Sequence, residues 1–168
     1  RVTNFGSALG QNLALFEQYQ ALASSVEAAG LDAPRRKVLD NTLRDFRLGG
    51  AQLDGADKAR FTAIKAELSA LAARFSQNVL DATDAWSLLI DDETRLAGLP
   101  QDVRAAARAA AEKEGTPGWK LTLQMPCYLP VQTYAEDRSL RETLYRANAI
   151  RASEFGEAAL DNSANIDR

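Results

Sequence analysis

Two carboxylates, Asp81 and Asp84, stand one helical turn apart within FSQNVLDATDAW at residues 75–86, flanked by Gln77, Asn78 and Thr83. That spacing suits an acid/base pair or a cation, and it equally suits the solvated face of a helix. Three other groups invite a chemical reading. Cys127 lies between Pro126 and Tyr128. Arg35, Arg36, Lys37, Arg44 and Arg47 form a basic run, and Gly49-Gly50 is a glycine pair.

Each of these readings meets an obstacle in the same sequence. The chain contains no histidine, which removes Ser-His and Cys-His nucleophiles and every zinc motif that uses imidazole. Cys127 therefore has no activating base and reads as a packed small residue. The basic run is interleaved with Asp32, Asp40 and Asp45, as on a solvated face with local ion pairs. Gly49-Gly50 lacks the lysine and the strand-turn-helix setting of a phosphate loop. Trp86 and Trp119 read as core anchors. No residue of this chain is assigned a catalytic, cofactor-binding or metal-binding role.

Composition narrows the class. The 168 residues are 46% hydrophobic and 26% charged, with a net charge of -3, which describes an ordinary globular chain with no general attraction for nucleic acid or an anionic membrane. No apolar run is long enough for a membrane span, and RVTNFGSALG lacks the apolar centre of a signal peptide. The single cysteine excludes an internal disulfide, in keeping with a cytoplasmic location. The chain starts at Arg1 without a methionine and stops in DNSANIDR, so it is expected to be part of a longer protein.

The elements that must position these residues are mostly helical. Leu13, Phe16, Tyr19, Leu22, Ala23 and Val26 give one face to a helix from Asn12 to Ala29, with Gly30 as its left-handed stop. Asp32 caps a second helix, with Pro34 in its first turn. Val38, Leu39, Leu43 and Phe46 share a face up to Gly49-Gly50. A very long third helix is expected from Asp57 to Ile90, its stripe running through Phe61, Ile64, Leu68, Leu71, Phe75, Val79, Ala82, Trp86, Leu89 and Ile90. On that wheel Asp81 and Asp84 face away from the stripe, and Asn78 sits at its margin, where it can hydrogen-bond a neighbouring loop or helix end.

Downstream, QDVRAAARAAAEKE reads as a peripheral alanine-rich helix closed by Gly115. WKLTLQ alternates as a half-buried strand. MPCYLPVQTYAED is expected to stay extended, with any second strand near Val131 to Tyr134 at an edge, because Pro126 and Pro130 remove ladder donors. A last helix starts at Arg138 behind Asp137, with Leu140, Leu144, Ala147 and Ile150 on one side. The fold class is mainly α: an antiparallel helical bundle with one very long helix and a small β element at about 119–134.

RRKVLDNTLRDFRLGGAQL, RFSQNVLDATDAW, LAGLP, GWKLTLQMPCYLPVQTYAEDRSLRETLYRANAIRAS and DNSANI follow one another from residue 35 onward. In this order they resemble the oligopeptidase A group of the thimet oligopeptidase-like zinc metallopeptidases, along a match running from about Leu9 to Arg168. Asn148 departs from an aromatic position of the family, and the stretch between Gly156 and Asp161 looks shortened.

The resemblance implies that residues 1–168 are a single piece of the N-terminal helical region of a cytoplasmic peptidase that hydrolyses short peptides. In that family the N-terminal helices form one wall of the substrate channel. It also implies that zinc belongs to a catalytic domain absent from this chain, held by a His-Glu-x-x-His helix and a later glutamate that match no position here. The implied partners are short peptides and that catalytic domain, with no nucleic acid and no membrane. The alternative is a free-standing helical protein-protein interaction module. On the peptidase reading, apolar groups of the strand at Trp119–Leu123 and of the last helix are expected to lose their cover, giving self-association through the C-terminal third.

Overall fold

The computed structural model describes residues 2–167; Arg1 and Arg168, the residues on which the expectation of a longer chain rests, lie outside them. The chain divides into two compact units, one ending at Leu71 and the other beginning at Ala72. The fold is mainly α with a two-stranded sheet, as expected.

In the first unit, α1 (Val2–Gly10) precedes α2 (Leu13–Ala23), α3 (Val26–Ala29) and α4 (Ala33–Leu48), followed by the first half of α5 (Gly55–Ala85). The helix expected from Asn12 to Ala29 is thus broken. Ser25 interrupts it by accepting the Ala28 amide at 3.3 Å, the habit of a serine that competes with the helix backbone and caps the next turn instead. Gly30 follows at φ -86 rather than in the left-handed region. Asp32 caps α4 as expected, accepting the Arg35 amide at 3.0 Å.

A small aromatic core forms where α2 meets α4. Phe16, Leu43, Phe46 and Ala51 are buried there, with Tyr19 packed beside them. The ring centroids of Phe16 and Tyr19 lie 5.9 and 5.6 Å from that of Phe46, within the range of favourable tilted aromatic pairs. Val38, expected on the same face, is exposed. Polar contacts attach α5 to the N-terminal helices: Gln11 donates to Thr62 Oγ1 at 3.1 Å, Lys58 donates to the Gln11 carbonyl at 3.0 Å, and Thr3 and Ser69 share a hydrogen bond of 2.9 Å.

α5 differs from its expected form in two respects. It stops at Ala85, and Ser87–Ile90 is a strand, β1, that pairs antiparallel with β2 (Trp119–Thr122). The wheel had carried Leu89 and Ile90 onto one helical face. In the strand they point to opposite sides, Ile90 buried and Leu89 exposed, because strand side chains alternate. Second, the apolar stripe is not a core: Asn78 is the one buried residue of this helix, while Ile64, Leu68 and Phe75 are exposed.

In the second unit, α6 (Gln101–Lys113) lies against β2. Its small Ala107 and Ala111 are buried, which lets a helix without large side chains sit close to a sheet. MPCYLPVQTY forms a helix, α7 (Met125–Tyr134), which corrects the expected extended run and places the β element at 87–90 and 119–122. Pro126 lies in the first turn, where no intrahelical donor is needed, and only Pro130 costs an interior bond. Tyr128, Val131 and Ala135 then reach the core at helical spacing.

α8 (Arg138–Ile150) begins behind Asp137 as expected, and its Leu140 and Leu144 are fully buried. The C-terminal stretch ends in a short helix, α9 (Ser163–Ile166). Gly118 permits the turn into β2. It adopts φ +101, and a Cβ there would stand 2.3 Å from the Ile90 carbonyl oxygen. The expectation that Leu121, Leu123 and Leu144 would lose cover is therefore overturned, since they are 0–2% exposed; Ile150, by contrast, is exposed.

Candidate functional site

Asp81 and Asp84 occupy the last turns of α5, both exposed as the wheel required. They do not converge. Asp81 accepts a hydrogen bond from Gln77 at 2.7 Å, and Asp84 accepts one from Gln124 at the foot of α7. Each carboxylate thus has its own amide partner in a solvated setting, which does not shape a cation cage. Among the described residues no three Asp, Glu, Cys or His side chains come together.

Asn78, at the margin of the stripe, is the polar residue that matters structurally. Its Nδ2 donates to Asn162 Oδ1 at 3.0 Å, a bond buried from solvent. Asn162 is 2% exposed. It donates through Nδ2 to the Phe75 carbonyl at 3.2 Å, accepts from Asn165 at 2.7 Å, and donates its backbone N–H to the Ala152 carbonyl at 3.1 Å. This amide cluster secures the segment after α8 to the end of α5. The sequence pointed to the Asn78 half of it, while Asn162 carried no signal that marked it as the partner.

Cys127 is an inert thiol. It is half-buried against the core, accepts the Thr122 amide at 3.3 Å, and burial pushes its pKa up, the opposite of what a nucleophile needs. In the basic run, Arg35 and Arg44 pair with Asp32 and Asp45 at 3.9 and 3.3 Å. Arg36 donates to the Ala28 carbonyl and Arg47 lies over the Phe16 ring. No convergent anion site results from these contacts. Trp86 and Trp119 both pack against the core as expected, and Arg108 stacks over the Trp119 ring.

Asp137 carries the one strongly displaced acid among the described residues. Hydrogen bonds from the Ser139 hydroxyl, at 2.6 Å, and from Arg95, at 3.0 Å, join the amides of Ser139 and Leu140 in holding its pKa down at about 2. It is a helix cap reinforced by an ion pair.

A cavity of about 330 Å³ lies elsewhere in the second unit. Its walls include Ala82, Trp86, Leu123, Ala147 and Ile150, with Arg151 and Glu157 as its charged members. Sequence reasoning did not single out Arg151, and a lone arginine after a helix carries no signal that could have done so.

No protein-family profile matches the chain. Individual proteins do. The chain is 45% identical over 164 residues to "Oligopeptidase A" of Haemophilus influenzae and 42% identical over 164 residues to "Oligopeptidase A" of Escherichia coli strain K12. It is 36% identical over 158 residues to "Dipeptidyl carboxypeptidase" of Salmonella typhimurium. These matches take in 94–96% of this chain, which spans only 23–24% of the length of each relative.

Proposed function

We propose a role for a chain that is 45% identical to an oligopeptidase A while spanning 24% of that relative's length. It serves as the non-catalytic helical segment of a zinc-dependent oligopeptidase. It forms part of the wall along which short peptides reach a catalytic domain encoded elsewhere in the same protein. Residues 1–168 act as one piece of the N-terminal helical region, and the enzyme works in the cytoplasm.

The observation that carries this reading is a conjunction. The chain aligns nearly end to end with peptidases, yet it has no histidine, and no three metal-ligating side chains meet among its described residues. Hydrolytic chemistry then has to come from outside this segment, leaving the segment to hold, admit or orient substrate. Alignment with both oligopeptidases and a dipeptidyl carboxypeptidase supports a role common to different cleavage patterns. No helix among the described residues is long and apolar enough to cross a membrane.

The test compares this chain with the product of its whole gene on a quenched oligopeptide, with zinc and then with a chelator. The expected result is no turnover by the chain alone and chelator-sensitive turnover by the whole product. Chelator-sensitive hydrolysis by the 168-residue chain itself, or a gene lacking a His-Glu-x-x-His helix, would overturn the proposal.

A further inference from the structure

The cavity between the end of α5, α8 and the following loop combines apolar walls with an arginine that has no counter-ion among the described residues. Arg151 uses Nη1 to hold the Asn148 carbonyl and side chain, the latter at 2.7 Å. Among the described residues its Nη2 makes no hydrogen bond, and its Nε is the one buried side-chain polar atom without a partner. Arg95, Arg104, Arg108 and Arg146 of this unit pair with Asp137, Glu93, Glu112 and Glu142, whereas Arg151 stands beside the cavity without an ion pair among the described residues.

Nε and Nη2 lie on one edge of the planar guanidinium, the fork that matches two carboxylate oxygens. A buried N–H without an acceptor is a standing cost; Nε is closed to solvent, so a carboxylate meets Nη2 first and gains Nε only as the guanidinium turns toward it. The surrounding wall is held in place beforehand. Ala152 is fixed at φ +54, a conformation that non-glycine residues seldom adopt, and its carbonyl accepts the backbone N–H of Asn162 at 3.1 Å. Asn162 is in turn bound to α5 through Asn78. Glu157, the acid at the cavity, is exposed, where solvent screens its repulsion of an anion.

A volume of about 330 Å³ sits at the small end of known ligand pockets. It is suited to one or two amino-acid residues. We propose that this cavity binds the C-terminal residue of a short peptide, its apolar side chain among Trp86, Leu123 and Ile150 and its carboxylate on the free edge of Arg151. The chemistry on the page selects a small apolar carboxylate, and its identification as a peptide terminus rests on the peptidase reading above.

The probe is N-acetyl-L-leucine, compared with N-acetyl-L-leucinamide, titrated into the chain while the Trp86 indole N–H is followed by NMR. The acid is expected to shift that resonance to saturation, and the amide to bind roughly tenfold or more weakly, as loss of a charged hydrogen-bond pair implies. Arg151→Gln should weaken the acid by a similar factor and leave the amide unchanged. Ala147→Leu, which fills the hollow and retains Arg151, should abolish the response to both ligands. Should Arg151→Gln fail to fold, the acid/amide pair and Ala147→Leu decide the matter. Equal binding of acid and amide, binding unaffected by Ala147→Leu, or no binding of the acid at all overturns the proposal. If the whole gene product nevertheless hydrolyses peptides, only the pocket assignment falls; if acid binding survives while hydrolysis fails, it is the peptidase reading that falls.

Discussion

The two units of this chain solve the same problem with unequal means. In the second, Ile90, Leu96, Leu99, Leu121, Val131, Leu140 and Leu144 form a core that a strand pair, three helices and a 3-10 turn close from several directions. In the first, burial is concentrated where α2 meets α4, on Phe16, Leu43 and Phe46, while α1 has no buried residue and carries Val2 and Phe5 exposed. Both stretches are rich in apolar residues at helical spacing. The contrast shows that periodicity identifies a face that can be buried, and that burial needs a second surface at the right distance.

The sharpest way to break this comparison is to truncate one leucine in each unit. Leu140→Ala or Leu144→Ala, each at a fully buried position, should cost about 2–5 kcal/mol in urea unfolding. Leu68→Ala, at a position 55% exposed on the α5 stripe, should stay within about 0.5 kcal/mol. Equal losses at the two sites would show that the stripe is covered in solution.

The amide cluster offers a second test, confined to the second unit. Asn162→Ala leaves Asn78 buried and unpaired, which should cost about 1–3 kcal/mol. The double variant Asn78→Ala, Asn162→Ala should fall short of the summed single losses, since both remove one interaction. Strict additivity in chemical denaturation would mean that the two side chains do not act as a pair.

Asp137 makes part of the second unit's stability depend on pH, with a definite sign. Its folded pKa of about 2 lies below the ordinary 3.8, so its contribution is complete above the ordinary value and is lost as pH falls from there through about 2. Asp137→Ala should lower stability at neutral pH by about 1 kcal/mol as a lost helix cap. Asp137→Asn should keep much of the cap and flatten the acid limb of the stability profile. An unchanged acid limb in pH-dependent melts would remove Asp137 from this role.

A small effect is also expected at the carboxylates that first drew notice. Asp81→Ala combined with Asp84→Ala should change stability by less than about 1 kcal/mol, as substitutions at exposed sites do. A larger loss in urea would place those side chains in contacts that the structure does not contain.

Much of this molecule was legible before its fold was known. Asp32 and Asp137 announced two helix starts, because a carboxylate followed by free amides acts locally. The outward direction of Asp81 and Asp84 and the marginal position of Asn78 followed from the 100° step of the helix, another local property. The resemblance in ordered segments pointed to oligopeptidase A, to which the chain is 42–45% identical over 164 residues in two bacterial relatives. What only the tertiary structure decided depended on partners distant in the chain. Ser87–Ile90 leaves the helix because β2, beyond α6, offers a ladder, and MPCYLPVQTY folds as a helix against a core already supplied by Ile90 and Leu121. The same non-local geometry leaves Leu68 exposed, gives Asn78 its Asn162, and leaves Arg151 beside a cavity with one edge unpaired. Sequence periodicity sets which side chains share a face; which face is covered, and which polar group is left to find a ligand, is set by what the rest of the chain brings within a few ångströms.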